Sequence, residues 1–578
     1  MSSLKGDAIS SRKLPDNAFN HWDDGFVQSM ETPYLASEYR ERAETLVKQV
    51  KTLLKEMQTG SDGDLIQRLE MVDALQCLGI DRYFQDEIKE ALDFVYRCWD
   101  GSVGIGEGSE SCSRNLNATV LALRLLRLHR YHVSADVLQN FKDENGQFLK
   151  CGGKNDNNMK SSGEEHVVRS ILNLLRAASV AFPGETIMQE AKVFSSLYLK
   201  QVLKNIEDTY KSSLLKEVEY GLIYEWPRTF TIWEAQNFIE IYDLDNSRLK
   251  NVKILELAKL NFNILQCVYK MEMKTLSSWW QNSGISKLIA LRERSIEYLL
   301  MGISVMDEME FSSTRIAVAK VATLVTILDD LFDDYLTLEQ VELVTGAIIQ
   351  GWNVSLIQNL PNNFKKIVEF VSKIVNELSS DATKKQGRDM TQFIAKAWAD
   401  YAEANLQQAR WNKSGYVPTY NEYINIARTS ASIGPLSLHS ILLTTILANN
   451  DIEKIFLNRS RLCELVWLSL RLADDAQDFQ DEKLHGQTAS AVSSYMRDHA
   501  ECLEDDALCH INCLANQLIK ELMWEFLNPN KKFLDYEKLC FNLSKGIQCF
   551  YVFGDGFTYP EKGIKQQVLK VLVDPVKI

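Results

Sequence analysis

Apolar residues recur every three or four positions over long stretches of this chain. LVKQVKTLLKEM (46–57), EIKEALDFVYRCW (87–99) and ATVLALRLLRLHRY (118–131) each show the pattern, which gathers an apolar stripe on one face of an α-helix. Strand-like alternation is scarce. Only 10 prolines and 27 glycines punctuate 578 residues, which favours long helices over many-turned sheets. Loops are expected at CGGKNDNN (151–158) and SSDAT (379–383). At EWPRTF (225–230), Pro227 is expected to stop one helix before a new helical series begins. The pattern predicts an all-α protein with two helical domains, residues 1–226 and 227–578, since the length exceeds what one compact core usually takes.

Composition narrows the class. Hydrophobic residues make up 46% and charged residues 25%, an ordinary balance for a globular protein. The net charge of −14 argues against nucleic acid, whose binding needs a basic face. No apolar run approaches the roughly 18 residues of a membrane span. The opening MSSLKGDAISSRK lacks a signal peptide's apolar core and the length of a transit peptide. The 11 cysteines are odd in number, scattered and without C-x-x-C, so reduced thiols and a cytoplasmic location are expected. Cys509 and Cys513 flank His510, but no further residues complete a zinc spacing.

The chemistry-bearing pattern is acidic. TILDDLFDDYLTLEQ (326–340) sets four aspartates directly after the apolar run VATLVTIL. Asp329 and Asp333 are four apart, on one helical face about 6 Å apart along the axis. RLADDAQDFQDEKLHG (471–486) repeats the arrangement with Asp474, Asp478 and Glu482 at i, i+4 and i+8. Like charges so spaced oppose a helix by about 0.2–0.5 kcal/mol per pair. A hard divalent cation with oxygen ligands reverses that penalty, and magnesium prefers a few carboxylates plus a substrate phosphate. Two such faces read as a magnesium-diphosphate site; one alone reads more readily as a solvated charge run. Neither stretch has the glycine turn and loop spacing of an EF-hand.

Basic residues stand nearby. LRERSIEY (291–298) supplies Arg292 and Arg294, and Arg471 precedes Asp474 by three positions. Arginine binds phosphate oxygens bidentately and stays charged; a surface salt bridge is the alternative for Arg294. IARTSASIGPLSLHS (426–440) interrupts a helical pattern with small hydroxylated residues and Gly434-Pro435, which reads as a kinked helix or a plain interhelical loop.

Together these residues resemble the plant class I terpene synthases, and most of all the conifer sesquiterpene synthases. DDLFD (329–333) matches the family's first aspartate-rich motif, DDAQDFQDE (474–482) its second, and R-E-R (292–294) its R-x-R loop. The likeness extends to LGIDRYF (78–84), LRLHRYHVS (126–134) and DGFTYPEKGIKQQVLKVLVDPV (555–576). RKLPDNAFNHW (12–22) is similar to the R-R-x8-W segment that covers the active site. D-x-D-D, the motif of protonation-initiated cyclisation, is absent. The resemblance implies a catalytic class I terpenoid synthase bundle after a catalytically silent, α-barrel-like N-terminal domain. Asp329, Asp333, Asp474, Asp478 and Glu482 would hold three Mg2+ ions, with Asp330 in support and Mn2+ as an alternative metal. Arg292, Arg294 and Arg471 would grip the diphosphate. Met301, Gly434, Phe550, Asp555 and Phe557 would belong to the cavity and its lid.

The implied activity is ionisation of an allylic prenyl diphosphate by a monomer, with cyclisation of the cation. Two departures bear on the substrate. The first motif runs on as DDLFDDYLT, with Asp334 and Tyr335 in place of smaller or different groups. Nine positions after Arg292, where many relatives carry tryptophan, stands the more flexible Met301. Cytoplasmic location favours farnesyl diphosphate, C15; a widened cavity would admit geranylgeranyl diphosphate, C20. A chain-elongating prenyltransferase and a non-enzymatic helical scaffold are the competing expectations.

Overall fold

The computed structural model describes residues 22–58, 65–105, 115–148, 161–204, 212–245, 251–457, 460–484, 486–531 and 535–578. The expected loop at 151–158 and residues 12–21 of the N-terminal segment lie outside the described residues. Among the described residues helices dominate and no strand forms, only isolated bridges. None of these helices is long and apolar enough to cross a membrane.

The first half contains α1 (Ser37–Gln58), α2 (Leu65–Cys77), α3 (Gln85–Arg97), α4 (Leu116–Leu128), α5 (Ser161–Ala178), α6 (Thr186–Lys204) and α7 (Ser212–Ile223). The three periodic stretches fall on α1, α3 and α4. Pro227 sits in a short 3-10 turn, Trp226–Arg228, between α7 and α8 (Thr231–Leu244). Beyond it come α9 (Val252–Ser283), α10 (Ser295–Val305), α11 (Ser312–Asp330), α12 (Leu338–Ile349), α13 (Asn362–Gln386) and α14 (Thr391–Ser414). Then follow α15 (Tyr420–Ser430), α16 (Ile433–Thr444), α17 (Arg461–Leu484), α18 (Ala491–Asp498), α19 (Glu504–Leu527) and α20 (Asp535–Phe550). The buried apolar core runs without interruption through both halves.

Residues 379–383 are helical, not the loop that Ser-Ser-Asp expected. Leu378, Ser379 and Ala382 continue the buried stripe of α13, and burial of that stripe outweighs the weak helix propensity of serine and aspartate.

Helix α10 is buried at every residue from Ser295 to Val305, the mark of a central helix. It packs on α9, α11 and α20, and α11 packs on α16. The approach of α10 to α20 depends on Gly546, where an added Cβ would lie 1.8 Å from Ser304 Oγ. Between α11 and α9, Arg315 (0% exposed) meets Glu272 (1% exposed). Arg315 Nη2 donates to Glu272 Oε1 at 2.6 Å and Nε to Oε2 at 2.9 Å. Its Nη1 donates to the carbonyls of Met306 and Glu308 at 3.1 and 2.5 Å.

Polar bonds also cross between the halves. Arg82 donates to Asn261 at 2.7 Å and to Asp307 at 3.2 Å. Trp22 Nε1 donates to the buried Glu297 at 3.0 Å, so the entry of the chain is pinned beside the R-E-R loop.

Candidate active site

A cavity of about 380 Å³ opens among α10, α11, α14, the α15–α16 junction, α17 and the loop after α20. Its size falls within the usual range for small-molecule sites. Asp329, Asp333, Asp474, Asp478 and Glu482 all line it, as do Arg292, Arg294 and Arg471. The two acidic segments, 145 positions apart at their leading aspartates, therefore face one space.

The first segment is not a uniform α-helix. Helix α11 ends at Asp330, and residues Leu331–Tyr335 form one π-helical turn closed by Leu336 N–H donating to the Leu331 carbonyl at 2.8 Å. The wider turn brings Asp334 to the cavity beside Asp333, and π-turns recur at functional sites. Tyr335 latches this turn to the loop ahead of the arginines, its hydroxyl donating to the Ala290 carbonyl at 2.5 Å. Asp330, expected to support the metal ions, does not line the cavity. It accepts from the Arg292 backbone N–H at 2.9 Å and from Arg292 Nε at 2.6 Å. Its part is to orient Arg292, leaving the terminal nitrogens of that guanidinium for the cavity.

A matching arrangement holds the second segment. Arg471 pairs with Asp475, one position after Asp474, and lies 3.0 Å from Asp474 and 3.7 Å from Glu482. Asp475 is fully buried and also accepts from the Tyr423 hydroxyl and the Ala491 N–H, both at 2.8 Å. Each acidic segment thus spends its second aspartate on an arginine. The sequence pattern hid this, because adjacent aspartates look alike until one is buried.

Two sequence profiles match the chain: "Terpene synthase, N-terminal domain" over residues 21–222 and "Terpene synthase family, metal binding domain" over residues 281–521. The alpha-humulene synthase of Picea glauca is 43% identical over the whole of both chains. The gamma-humulene synthase of Abies grandis is 45% identical over 97% of this chain and 95% of its own. The chain belongs to the terpene synthase family. A crystal structure of isoprene synthase from grey poplar (Populus x canescens), in complex with three Mg2+ ions and dimethylallyl-S-thiolodiphosphate, matches with a TM-score of 0.80 at 28% identity. That match covers 96% of this chain and 99% of the other.

In this terpene synthase Arg294 is 1% exposed, which removes the surface salt-bridge alternative. It donates to the carbonyls of Glu293, Phe557 and Thr558 at 3.0, 3.3 and 3.4 Å. Asp555 accepts from the N–H groups of Phe557 and Thr558 at 2.8 and 2.9 Å. Together they shape the loop over the cavity mouth. Phe557 lines the cavity; Phe550 does not, but stacks behind it at 4.7 Å. Tyr298, Met301, Val325, Leu436 and Ile547 add to the apolar wall.

The interruption at 426–440 is a kink between two helices. Helix α15 ends at Ser430 and α16 begins at Ile433, with Ser432 at φ +61° between them. Pro435 lies in the first turn of α16, where a missing N–H costs no helical bond, so the break belongs to Ala431-Ser432. Ser430, Ala431 and Ser432 line the cavity. Gly434 does not; a Cβ there would face Trp467 at 3.5 Å.

Sequence reading missed α14. Asn405, Gln408 and Asn412 line the cavity at i, i+3 and i+7, a polar stripe that resembles any solvated helix face. Also missed were Tyr401, whose hydroxyl donates to Asp329, and the bond that the hydroxyl of Tyr551, an aromatic near the lid, donates to Asp474.

The electrostatics of the site are unbalanced. Seven carboxyl groups line the cavity against three guanidiniums, with no lysine among the described lining residues. Burial pushes Asp329 up to about 6 against relief from Tyr401 and Arg292. Burial and the neighbouring Asp329 and Asp334 push Asp333 up to about 7. Asp478 and Glu482 are raised too, chiefly by burial. Among the described residues, no three His, Cys, Asp or Glu side chains converge closely enough to hold an ion unaided. An all-oxygen, excess-negative donor set split across a cavity fits magnesium, which is completed by substrate phosphate and water.

Proposed function

We propose that this terpene synthase ionises farnesyl diphosphate in the cavity described above and cyclises the resulting cation to a sesquiterpene. The observation that carries the reading is the meeting of both acidic segments and three arginines around one cavity that also has apolar wall residues. Asp329 and Asp333 on one side, and Asp474, Asp478 and Glu482 on the other, would hold the magnesium ions, or manganese in their place. Metal bound there supplies Lewis-acid stabilisation of the departing diphosphate.

The chain's own residues do the rest. Arg292 and Arg471, each fixed by a buried aspartate, present positive charge that needs no reorganisation as the leaving group develops charge. Arg294 ties the 557–558 loop across the mouth and limits entry of water. Tyr298, Tyr551 and Phe557 line the cavity, and an aromatic face turned to a desolvated cation is worth about 1–2 kcal/mol. The helices from residue 227 onward form the catalytic bundle on this reading, and the first half buttresses it. A monomer suffices, and the free thiols among the described residues suit a reducing compartment such as the cytoplasm.

Met301 favours a second reading, geranylgeranyl diphosphate. It lines the cavity and is 1% exposed, so the chain length accepted depends on its shape. Purified protein with magnesium and C10, C15 or C20 diphosphate, followed by gas chromatography, tests both. The C15 substrate is expected to give the highest kcat/KM and a sesquiterpene product; turnover of C20 alone replaces this reading with the second. Met301→Trp is expected to lower kcat/KM for C15 about tenfold, since overfilling a packed site costs about 1–3 kcal/mol. A larger loss for C20 than for C15 would place Met301 on the path of the prenyl tail.

A further inference from the structure

We propose that Tyr401 is a positioning residue for divalent-cation binding, holding one oxygen of Asp329 so that the other stays presented to the cavity. The inference rests on the magnesium-diphosphate reading of the site. Tyr401 belongs to α14, which brings no carboxylate to the cavity wall. Its ring is fully buried, and its hydroxyl donates to Asp329 Oδ1. No other partner of that hydroxyl exists among the described residues. Asp333, one turn on, has no such donor among the described residues, so of these two cavity-lining acids Asp329 is the one held by a phenol from another helix.

The donor itself cannot swing. Trp398, also fully buried, meets the Tyr401 ring edge-on at 6.0 Å and 90°. Trp398 is packed in turn against Trp352 at 5.8 Å and His439 at 6.2 Å. One turn beyond, Asn405 Nδ2 donates to the Tyr401 carbonyl at 2.9 Å and reaches the Ser430 carbonyl at 3.5 Å. An aromatic cage thus supports the phenol, and the same helix ties it to the kink that lines the cavity. A buried phenol without a partner is costly, so the hydroxyl and Asp329 specify each other's position. Outer groups that orient ligating carboxylates in this way typically change metal affinity by about 10–100-fold.

Tyr401→Phe removes the hydroxyl and keeps the ring in its cage. Magnesium binding in the presence of inorganic pyrophosphate, measured by calorimetry on the whole chain, is expected to weaken about tenfold. The magnesium concentration for half-maximal turnover should rise in parallel, with the maximal rate within about threefold of the parent. Trp398→Phe loosens the packing and leaves the hydrogen bond; it is expected to lower the thermal midpoint without moving the magnesium titration. An unchanged titration in Tyr401→Phe, whatever its thermal midpoint, overturns the proposal, as does an equal loss of rate at every magnesium concentration. If the parent protein itself shows no joint binding of magnesium and pyrophosphate, the reading of the site fails instead. The two failures are therefore distinct.

Discussion

Asparagine at both Asp329 and Asp333 is expected to lower product formation by about a thousandfold or more, while the apo-protein becomes more heat-stable. The loss follows from removing two ionised oxygens that face the cavity, where a single preorganised group is commonly worth about a hundred- to a thousandfold. The gain has a definite sign. Burial raises Asp329 to about 6 and Asp333 to about 7, from an ordinary value near 3.8. An acid raised on folding opposes the folded state above its folded value, and the penalty vanishes below the unfolded one. Asparagine removes it, so at pH 8 without divalent ions the variant should melt higher than the parent. At pH 4 the two should nearly coincide. Magnesium with pyrophosphate should then stabilise the parent and not the variant. Calorimetric melting with and without ligand, alongside gas chromatography of products, measures both halves. Activity within tenfold of the parent would remove these carboxylates from the mechanism.

The second large effect lies beneath the site. Arg315→Met is expected to destabilise the protein by about 3–5 kcal/mol, because Glu272 is left charged and buried without its partner. Arg315 also holds the carbonyls of Met306 and Glu308 just past the end of α10, the helix that carries Tyr298 and Met301. Urea unfolding is the measurement. Replacing both partners, Arg315→Met with Glu272→Leu, should recover at least half of the loss, since an apolar pair of similar volume often matches a buried ion pair. A single-variant change under about 1 kcal/mol would mean that water reaches Glu272.

The two effects point in opposite directions. On the proposed reading, acids facing the cavity oppose the apo-fold and would serve the reaction, whereas the Arg315–Glu272 pair supports the fold and does not line the cavity.

Much of this was legible in the chain. Apolar spacing identified helices such as α1, α3 and α4, since an isolated stripe has only one way to leave water. The i, i+4 and i+8 carboxylates were legible because like charges on one face need a reason. Other features were not. Asp329 and Asp330 are chemically identical and adjacent, and only the packing of α11 decides which faces the cavity and which faces Arg292. Tyr401 lies in WADYAEANLQQARW, where nothing marks one aromatic as structural and another as a donor to an acid 72 positions away. SSDAT looked like a loop because propensity is local, while the burial that made it helical comes from neighbouring helices.

By itself, then, the sequence determined the helical class, the acidic and basic inventory and the kind of cation that inventory suits, because spacing along a helix translates directly into a shared face. Tertiary structure alone decided which carboxylates meet, which arginines they hold and which residues wall the cavity. Those depend on distances between segments remote in the chain, set by how helices pack rather than by any periodicity within them.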